Sequence, residues 1–579
     1  MEAVVAGGKT LQPLGNRMRS GETIPALTFP RFEPHFLREN WTLPAVLAHH
    51  AAIRPDAPFL SWTDAEEPLT FAGIDHLTNR IANSLARRGI AKGDRIALFL
   101  PNCRYFVPIW FAIAKLGAIE VPIGDTSKGD FLRHQLAITE PKLILTTREL
   151  SLRIDEVTVT RDCYETIVVP MDEEADVAPH GATSFEELLA GDPEPVVSNV
   201  ASQDLSTILF TSGTTGPSKG VLMSHAQMYF FAEECAQMTR LTHDDVYMTS
   251  FPLIHGNAQI LSVYAALIPG ARCVVYPRFS ASDWSRRVRA SGATVTNTLG
   301  ATMSFICAQP EGPNDRNNHL RCVYAAPLAP DLESIFRDRF GNVDFVNAFG
   351  QTEISLPFVT PPGAEVPEGA VGVLVDQWFD VMLADSETDE PVAAGCVGEL
   401  LVRPKVPNII CSGYAGMPEE TVKAWRNLWF HTGDAMRCDA GGWYYFVDRV
   451  KDALRRRGEN ISSFEVESVV RAHPDIEECA VVAAPAQEVG GEDEVKVCVI
   501  IRQGADFDPT QLIAWCDERL PYFMVPRYVE TLDSLPRTAS EKIQKKLLRD
   551  RGVTPQTWDR IAANCLLDRE TRVEATTTP

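Results

Sequence analysis

The run TSGTTGPSKG (211–220) gathers hydroxyl residues and glycines around a single lysine, Lys219. Glycines let successive backbone N–H groups turn toward an anion, while hydroxyls and an ammonium add donors, so the chemistry on offer is a grip on phosphate. The run is not a Walker A loop, because Ser218 stands where a glycine must precede the lysine and Gly220 where a hydroxyl must follow it. Nor does it fit the kinase glycine pattern, since Gly213 and Gly216 are separated by two residues. A plain surface turn is the competing reading of such a composition, but the run carries more donors than a turn requires.

A phosphate loop must be launched from rigid elements, and STILFTSG reads as a buried strand running straight into it. Upstream, from Pro44 to about Thr147, amphipathic helices alternate with short apolar strands. GIDHLTNRIANSLARRGI spaces Ile74, Leu77, Ile81 and Leu85 for a helix closed by Gly89, and GDRIALFLP follows as a strand. The same alternation resumes after the loop, through AQMYFFAEECAQMTRL, ARCVVYP, ATVTNTLG and RCVYAAP. This predicts an α/β fold whose large N-terminal part holds two α/β-layered subdomains. Past Gly363 short strands with turn residues predict a small β-rich subdomain. After Arg449 a compact α+β unit follows, opening with a helix at SSFEVESVVRAHP in which Ser462 and Glu465 form a capping box. The expected division is a lead-in over 1–40, a large domain over 41–448, a small mobile domain over 449–552 and a tail over 553–579.

At 579 residues the chain is too long for one core. Its formal net charge of −23 argues against nucleic acid or an acidic membrane surface as partner. Thirteen scattered cysteines, without a C-x-x-C pair, suggest neither a zinc module nor a disulfide framework and fit a reduced, cytoplasmic protein. The opening MEAVVAGGKT lacks the basic start of a signal peptide, and no apolar run is long enough to span a bilayer. A homodimer is left open.

Further motifs occur in order around the loop: GAIEVP (117–122), AAPL (325–328), FGQTE (349–353), GELLVRP (398–404), HTGD (431–434), DRVKDALRRRGENIS (448–462) and PRTASEKIQKKLLR (536–549). Together they resemble the acyl-adenylate-forming, or AMP-binding, superfamily of acyl-CoA synthetases, luciferases and peptide-synthetase adenylation domains. The resemblance implies a two-step reaction in which a carboxylate attacks the α-phosphorus of ATP to give acyl-adenylate and pyrophosphate, and a thiol then takes the acyl group and releases AMP.

It also implies roles for individual residues. Thr211, Ser212, Gly213, Thr214, Thr215, Gly216 and Lys219 hold the β- and γ-phosphates. Glu353 binds Mg²⁺ and Thr352 touches the α-phosphate; Asp434 accepts the ribose hydroxyls with support from Arg449. Adenine lies against Ala325 and Ala326 and the segment Asn347, Phe349 and Gly350, although Tyr324 and Ala325 stand where glycines are common. Lys542 bridges the carboxylate and the α-phosphate and is the catalytic lysine, with Glu541 where relatives carry glycine. Lys451 is the hinge about which the small domain swings, bringing Gly458 alongside the pantetheine of CoA. Arg455 and Arg456 either meet the CoA 3′-phosphate or form a solvated basic face.

FPLIHGNAQ (251–259) offers no aspartate for an α-ammonium, because Gly256 and Asn257 follow His255. An acid without an α-amine is therefore expected, with His255 and Asn257 in the acyl pocket or His255 merely packed in the core. IHGNAQ and RRRGENISSFE most resemble the crotonobetaine/carnitine-CoA ligase branch. The leading expectation is an ATP-dependent carboxylic acid–CoA ligase using ATP, Mg²⁺ and coenzyme A. A loader of a carrier-protein thiol and a non-catalytic nucleotide-binding paralogue are the alternatives.

Overall fold

The computed structural model describes residues 27–157, 164–171, 183–196, 199–211, 218–326, 328, 330–449, 454–456, 459–461, 463–484, 494–520, 524–537, 543–563 and 565. Among these, three seven-stranded sheets and a four-stranded sheet organise the chain.

The first sheet is mainly parallel, with Arg95–Phe99 at its centre between Ile119–Ile123 and Leu143–Thr146. These strands are buried almost end to end and read as apolar runs without alternation, as a sheet covered on both faces demands. One covering helix, Phe71–Arg87, is capped by the Thr70 hydroxyl, which accepts from the Gly73 N–H at 3.0 Å. It presents Phe71, Ile74, Ile81 and Leu85 to the core, and Gly89 follows with φ +80°, a left-handed conformation that glycine adopts without strain. The sheet ends in an antiparallel hairpin of Leu205–Thr211 with Lys219–Ser224.

The second sheet runs Asp344–Val346, Cys322–Ala325, Val295–Thr298, Val246–Thr249, Arg272–Val275, Pro58–Trp62, Leu69–Thr70. On periodicity alone residues 44–147 belong to one layer; instead Pro58–Trp62 leaves it and pairs in parallel with Arg272–Val275. A short apolar strand carries no label for its partner, so this pairing is set by which sheet edge buries Phe59 and Leu60. The third sheet is antiparallel and begins at Ala348–Gln351, so FGQTE starts the β-rich part, ahead of Gly363.

Toward the C-terminus, Ile476–Ala484, Glu494–Ile501, Tyr528–Thr531 and Trp558–Asp559 form the four-stranded sheet. The helix Ser463–Arg471 packs Val466 and Val470 into a separate apolar cluster with Val481, Val497 and Leu512. A fully buried ion pair, Lys496 Nζ to Glu530 Oε2 at 2.5 Å, lies within this unit. The expected helix is thus present; its proposed cap Ser462 lies outside the described residues. No helix among the described residues is long and apolar enough to cross a membrane.

Candidate active site

In the hairpin that ends the first sheet, Thr211 stands directly opposite Lys219, so the loop between them leaves and re-enters at one edge. Ser212, Gly213, Thr214, Thr215 and Gly216 lie outside the described residues, as do Lys451, Gly458 and Lys542. The Lys219 ammonium is 2.6 Å from Glu420 Oε2 and sits 4.7 Å from the centre of the Tyr414 ring, as a cation over an aromatic face. The Tyr414 hydroxyl donates to Glu353 Oε1 at 3.1 Å. Burial and the adjacent Glu353 carboxylate push the Tyr414 phenol far up, so it stays a donor. Backbone bonds lock this arrangement, with Ala415 N–H donating to Gly220 O at 2.8 Å and Leu222 N–H to Gly413 O at 2.9 Å. A lysine of the loop and a buried glutamate of FGQTE are thereby joined through one tyrosine. Neither Tyr414 nor Glu420 is singled out by sequence, although both lie in one short run, GYAGMPEE (413–420).

Thr352 and Glu353 occupy the turn between Ala348–Gln351 and Ser355–Val359. The turn is tight: a β-carbon on Gly350 would lie 2.0 Å from the Ser355 carbonyl oxygen, so only glycine fits there. Glu353 is 9% exposed. Its neighbour Gln351 donates its side-chain amide to Asp434 Oδ2 and, at 3.1 Å, to Thr432 O. Asp434 is 1% exposed and sits on Phe430–Cys438, in register with Arg449 of the adjacent strand Trp443–Arg449. Gln351, which sequence reasoning passed over, makes these contacts from between two residues that were named, Gly350 and Thr352.

The residues proposed for the adenine wall lie at the end of Cys322–Ala325, between Asp344–Val346 and Ala348–Gln351, and on Ala348–Gln351. Ala325 ends Cys322–Ala325 and is fully buried; Ala326 beyond it is half-buried. Asn347 donates its amide to Ala370 O at 3.4 Å, while its Oδ1 is buried without a hydrogen-bond partner among the described residues. Phe349 stacks on Phe446 with ring centres 6.0 Å apart. Ala325, Ala326 and Asn347 lie at the carboxyl ends of the parallel strands Cys322–Ala325 and Asp344–Val346, where open α/β sheets bind ligands, whereas Phe349 lies on the antiparallel strand Ala348–Gln351.

His255 precedes the short helix Gly256–Ala258 and is half-buried. Asn257 accepts at Oδ1 from the Asn297 amide, which also donates to Ser262 Oγ at 3.0 Å. A π-helical turn follows at Gln259–Tyr264, a rare form that tends to occur at functional positions. Gln259 donates at 2.6 Å to Glu120, whose fully buried carboxyl burial pushes up to about 8 against the hydrogen bonds from Gln259 and Thr207. Arg455 belongs to the strand Leu454–Arg456, paired with Glu459–Ile461, and Arg456 ends it.

The AMP-binding enzyme family matches residues 47–415, and its C-terminal domain matches residues 465–542. The chain belongs to this family. Among curated proteins it is 32% identical over 494 residues to the crotonobetaine/carnitine–CoA ligases of Salmonella heidelberg (strain SL476) and Salmonella typhimurium (strain LT2), covering 83% of this chain and 93% of each of them. Among solved structures, the anthranilate CoA ligase AuaEII in complex with anthranoyl-AMP superposes with a TM-score of 0.80 at 22% identity, over 91% of this chain and 99% of that one. ATP-bound MatB from Rhodopseudomonas palustris gives 0.78 at 24% identity, over 88% and 99%. The structural likenesses show the fold: the expected α/β architecture with a large N-terminal and a small C-terminal part.

Proposed function

We propose that this chain is an ATP-dependent carboxylic acid–CoA ligase. A carboxylate oxygen attacks the α-phosphorus of ATP and pyrophosphate leaves; the thiol sulfur of CoA then attacks the acyl carbon and AMP leaves. The observation that carries the reading is the line of contacts from Lys219 through Tyr414 to Glu353, in a chain of the AMP-binding enzyme family. A cation at the mouth of the loop opposes the charge of the leaving pyrophosphate. Glu353 offers the hard carboxylate oxygen that Mg²⁺ takes together with substrate phosphates, so the residues present fit that ion. When bound, Mg²⁺ screens the phosphate charge.

Asp434, oriented by Gln351, accepts the ribose hydroxyls, with Arg449 in the next strand. Thr352 contacts the α-phosphate, and Lys542, on the small domain, neutralises charge built up during attack. Residues 449–552 form that domain and turn about Lys451. The carnitine-type relatives and the absence of an aspartate after His255 support a small acid without an α-amine, received near His255 and Asn257. A cytoplasmic location belongs to the same proposal and rests on the scattered thiols of the sequence.

The test is pyrophosphate release over a panel of small carboxylic acids, with and without CoA. A ligase releases about one equivalent without CoA and turns over continuously with it. Turnover sustained by an acyl carrier protein but not by CoA would make the chain a carrier loader, and ATP binding without acid-dependent release would make it a non-catalytic paralogue.

A further inference from the structure

The helix His225–Met238 is buried along almost its whole length. Ser224 caps it, accepting from the Gln227 N–H at 3.1 Å. A helix packed on all sides is expected to be apolar all round, yet this one carries Gln227 and Glu234, 0% and 2% exposed and two turns apart on one face. Both side chains are spent on the same short stretch of backbone. The Gln227 amide donates to Thr352 O at 2.9 Å and to Glu353 O at 3.3 Å, and Glu234 Oε2 accepts from the Leu356 N–H at 3.0 Å.

Between these two grips lies Ser355, a non-glycine residue with φ 60°, whose hydroxyl donates to Ile409 O at 2.9 Å. A left-handed serine persists only where its surroundings over-determine it, and such positions concentrate at working sites. Burial pushes the Glu234 carboxyl well above its ordinary range, so it acts as a neutral hydrogen-bonding group. The opposite grip of the same helix is of another kind: Glu233 is held by His35 at 2.8 Å and by Tyr229 at 2.6 Å and faces the N-terminal segment, away from the turn.

We propose that Gln227 and Glu234 are positioning residues that lock the 352–356 turn, so that Thr352 and Glu353 face the nucleotide in one orientation. The inference rests on the reading of Glu353 as the Mg²⁺ ligand given under Proposed function.

The test is the affinity for ATP by calorimetry, with and without Mg²⁺, in the wild type and in Q227L, E234L, E234Q, E353Q and H35A. Outer-shell partners typically set metal affinity by 10–100-fold, so Q227L and E234L should lose at least about tenfold of the Mg²⁺-dependent gain in ATP affinity. Their metal-free ATP affinity should stay within about twofold, and E234Q, which keeps the acceptor, should match the wild type. H35A should lower the melting temperature and leave the gain intact. Wild-type gain in both Q227L and E234L, or an equal loss in H35A, overturns the proposal. If Q227L does not fold, Q227N, which retains the amide and shortens its reach, takes its place. E353Q separates the two readings: loss in E353Q with none in Q227L and E234L sinks only the brace, and loss in those two with none in E353Q sinks only Glu353 as ligand. No loss in any of the three sinks both.

Discussion

The Lys219 ammonium and the Glu420 carboxylate lie 2.6 Å apart, with Lys219 31% and Glu420 43% exposed, so the loop lysine already has an anionic partner at the edge of the site. On the proposed reading of Lys219 as a phosphate ligand, a triphosphate would compete with Glu420 for this cation. Glu420→Gln should therefore lower the KM for ATP by about two- to fivefold, the range of a partly exposed ion pair, with kcat little changed. Steady-state kinetics decide it; a raised KM would mean that Glu420 orients Lys219 instead of competing for it.

Lys542 is assigned the adenylation step. Lys542→Ala should cut acid-dependent pyrophosphate release by about 10²–10³-fold, the usual effect of removing one transition-state donor. Thioester formation from supplied acyl-adenylate should fall by less than about tenfold. Equal losses in the two half-reactions would remove the assignment.

Asp448 Oδ2 accepts from the Ser463 N–H at 2.7 Å and from its hydroxyl at 2.6 Å, which caps the helix Ser463–Arg471 from the far side of Lys451. Loss of a helix cap costs about 1 kcal/mol. Asp448→Ala should accelerate amide hydrogen exchange in that helix about fivefold while leaving the strand Glu494–Ile501 unchanged. Uniform acceleration across the small domain, or none, would show that the contact is not a cap.

Glu120 makes stability depend on pH. Its ordinary value is 4.5 and its folded value about 8, so between them the folded chain holds a proton that the unfolded chain has lost. Its contribution is fully present below 4.5 and falls as pH rises toward 8. Glu120→Gln keeps the hydrogen-bonding shape without the titration. It should flatten the melting temperature across this window and raise it by at least about 2 °C at the alkaline end. An unchanged slope would mean that Glu120 is ionised in the fold.

Much of this was legible in advance because it is written locally. The helix Phe71–Arg87 declares itself through a 3.6-residue apolar period and its terminal glycine, and Arg95–Phe99 and Ile119–Ile123 declare themselves as short apolar runs. The site was legible only as motifs. Lys219, Glu353 and Asp434 were named because their neighbours spell recognisable strings, whereas Gln227, Gln351 and Tyr414 act through contacts with partners distant in sequence. Nothing in AQMYFF marks Gln227 as the residue that reaches Thr352, since a glutamine on a buried helix carries no sign of what it will meet.

By itself the sequence determined the order of strands and helices, the family and the types of side chain available for nucleotide chemistry, because periodicity, capping and motif spacing operate within a few residues. Only the tertiary structure decided that Pro58–Trp62 crosses to the second sheet, that Tyr414 joins Lys219 to Glu353, and that one helix grips the turn carrying Thr352. These relations depend on which long-range pairings bury the most apolar surface while keeping the buried backbone hydrogen-bonded, a competition settled over the whole chain.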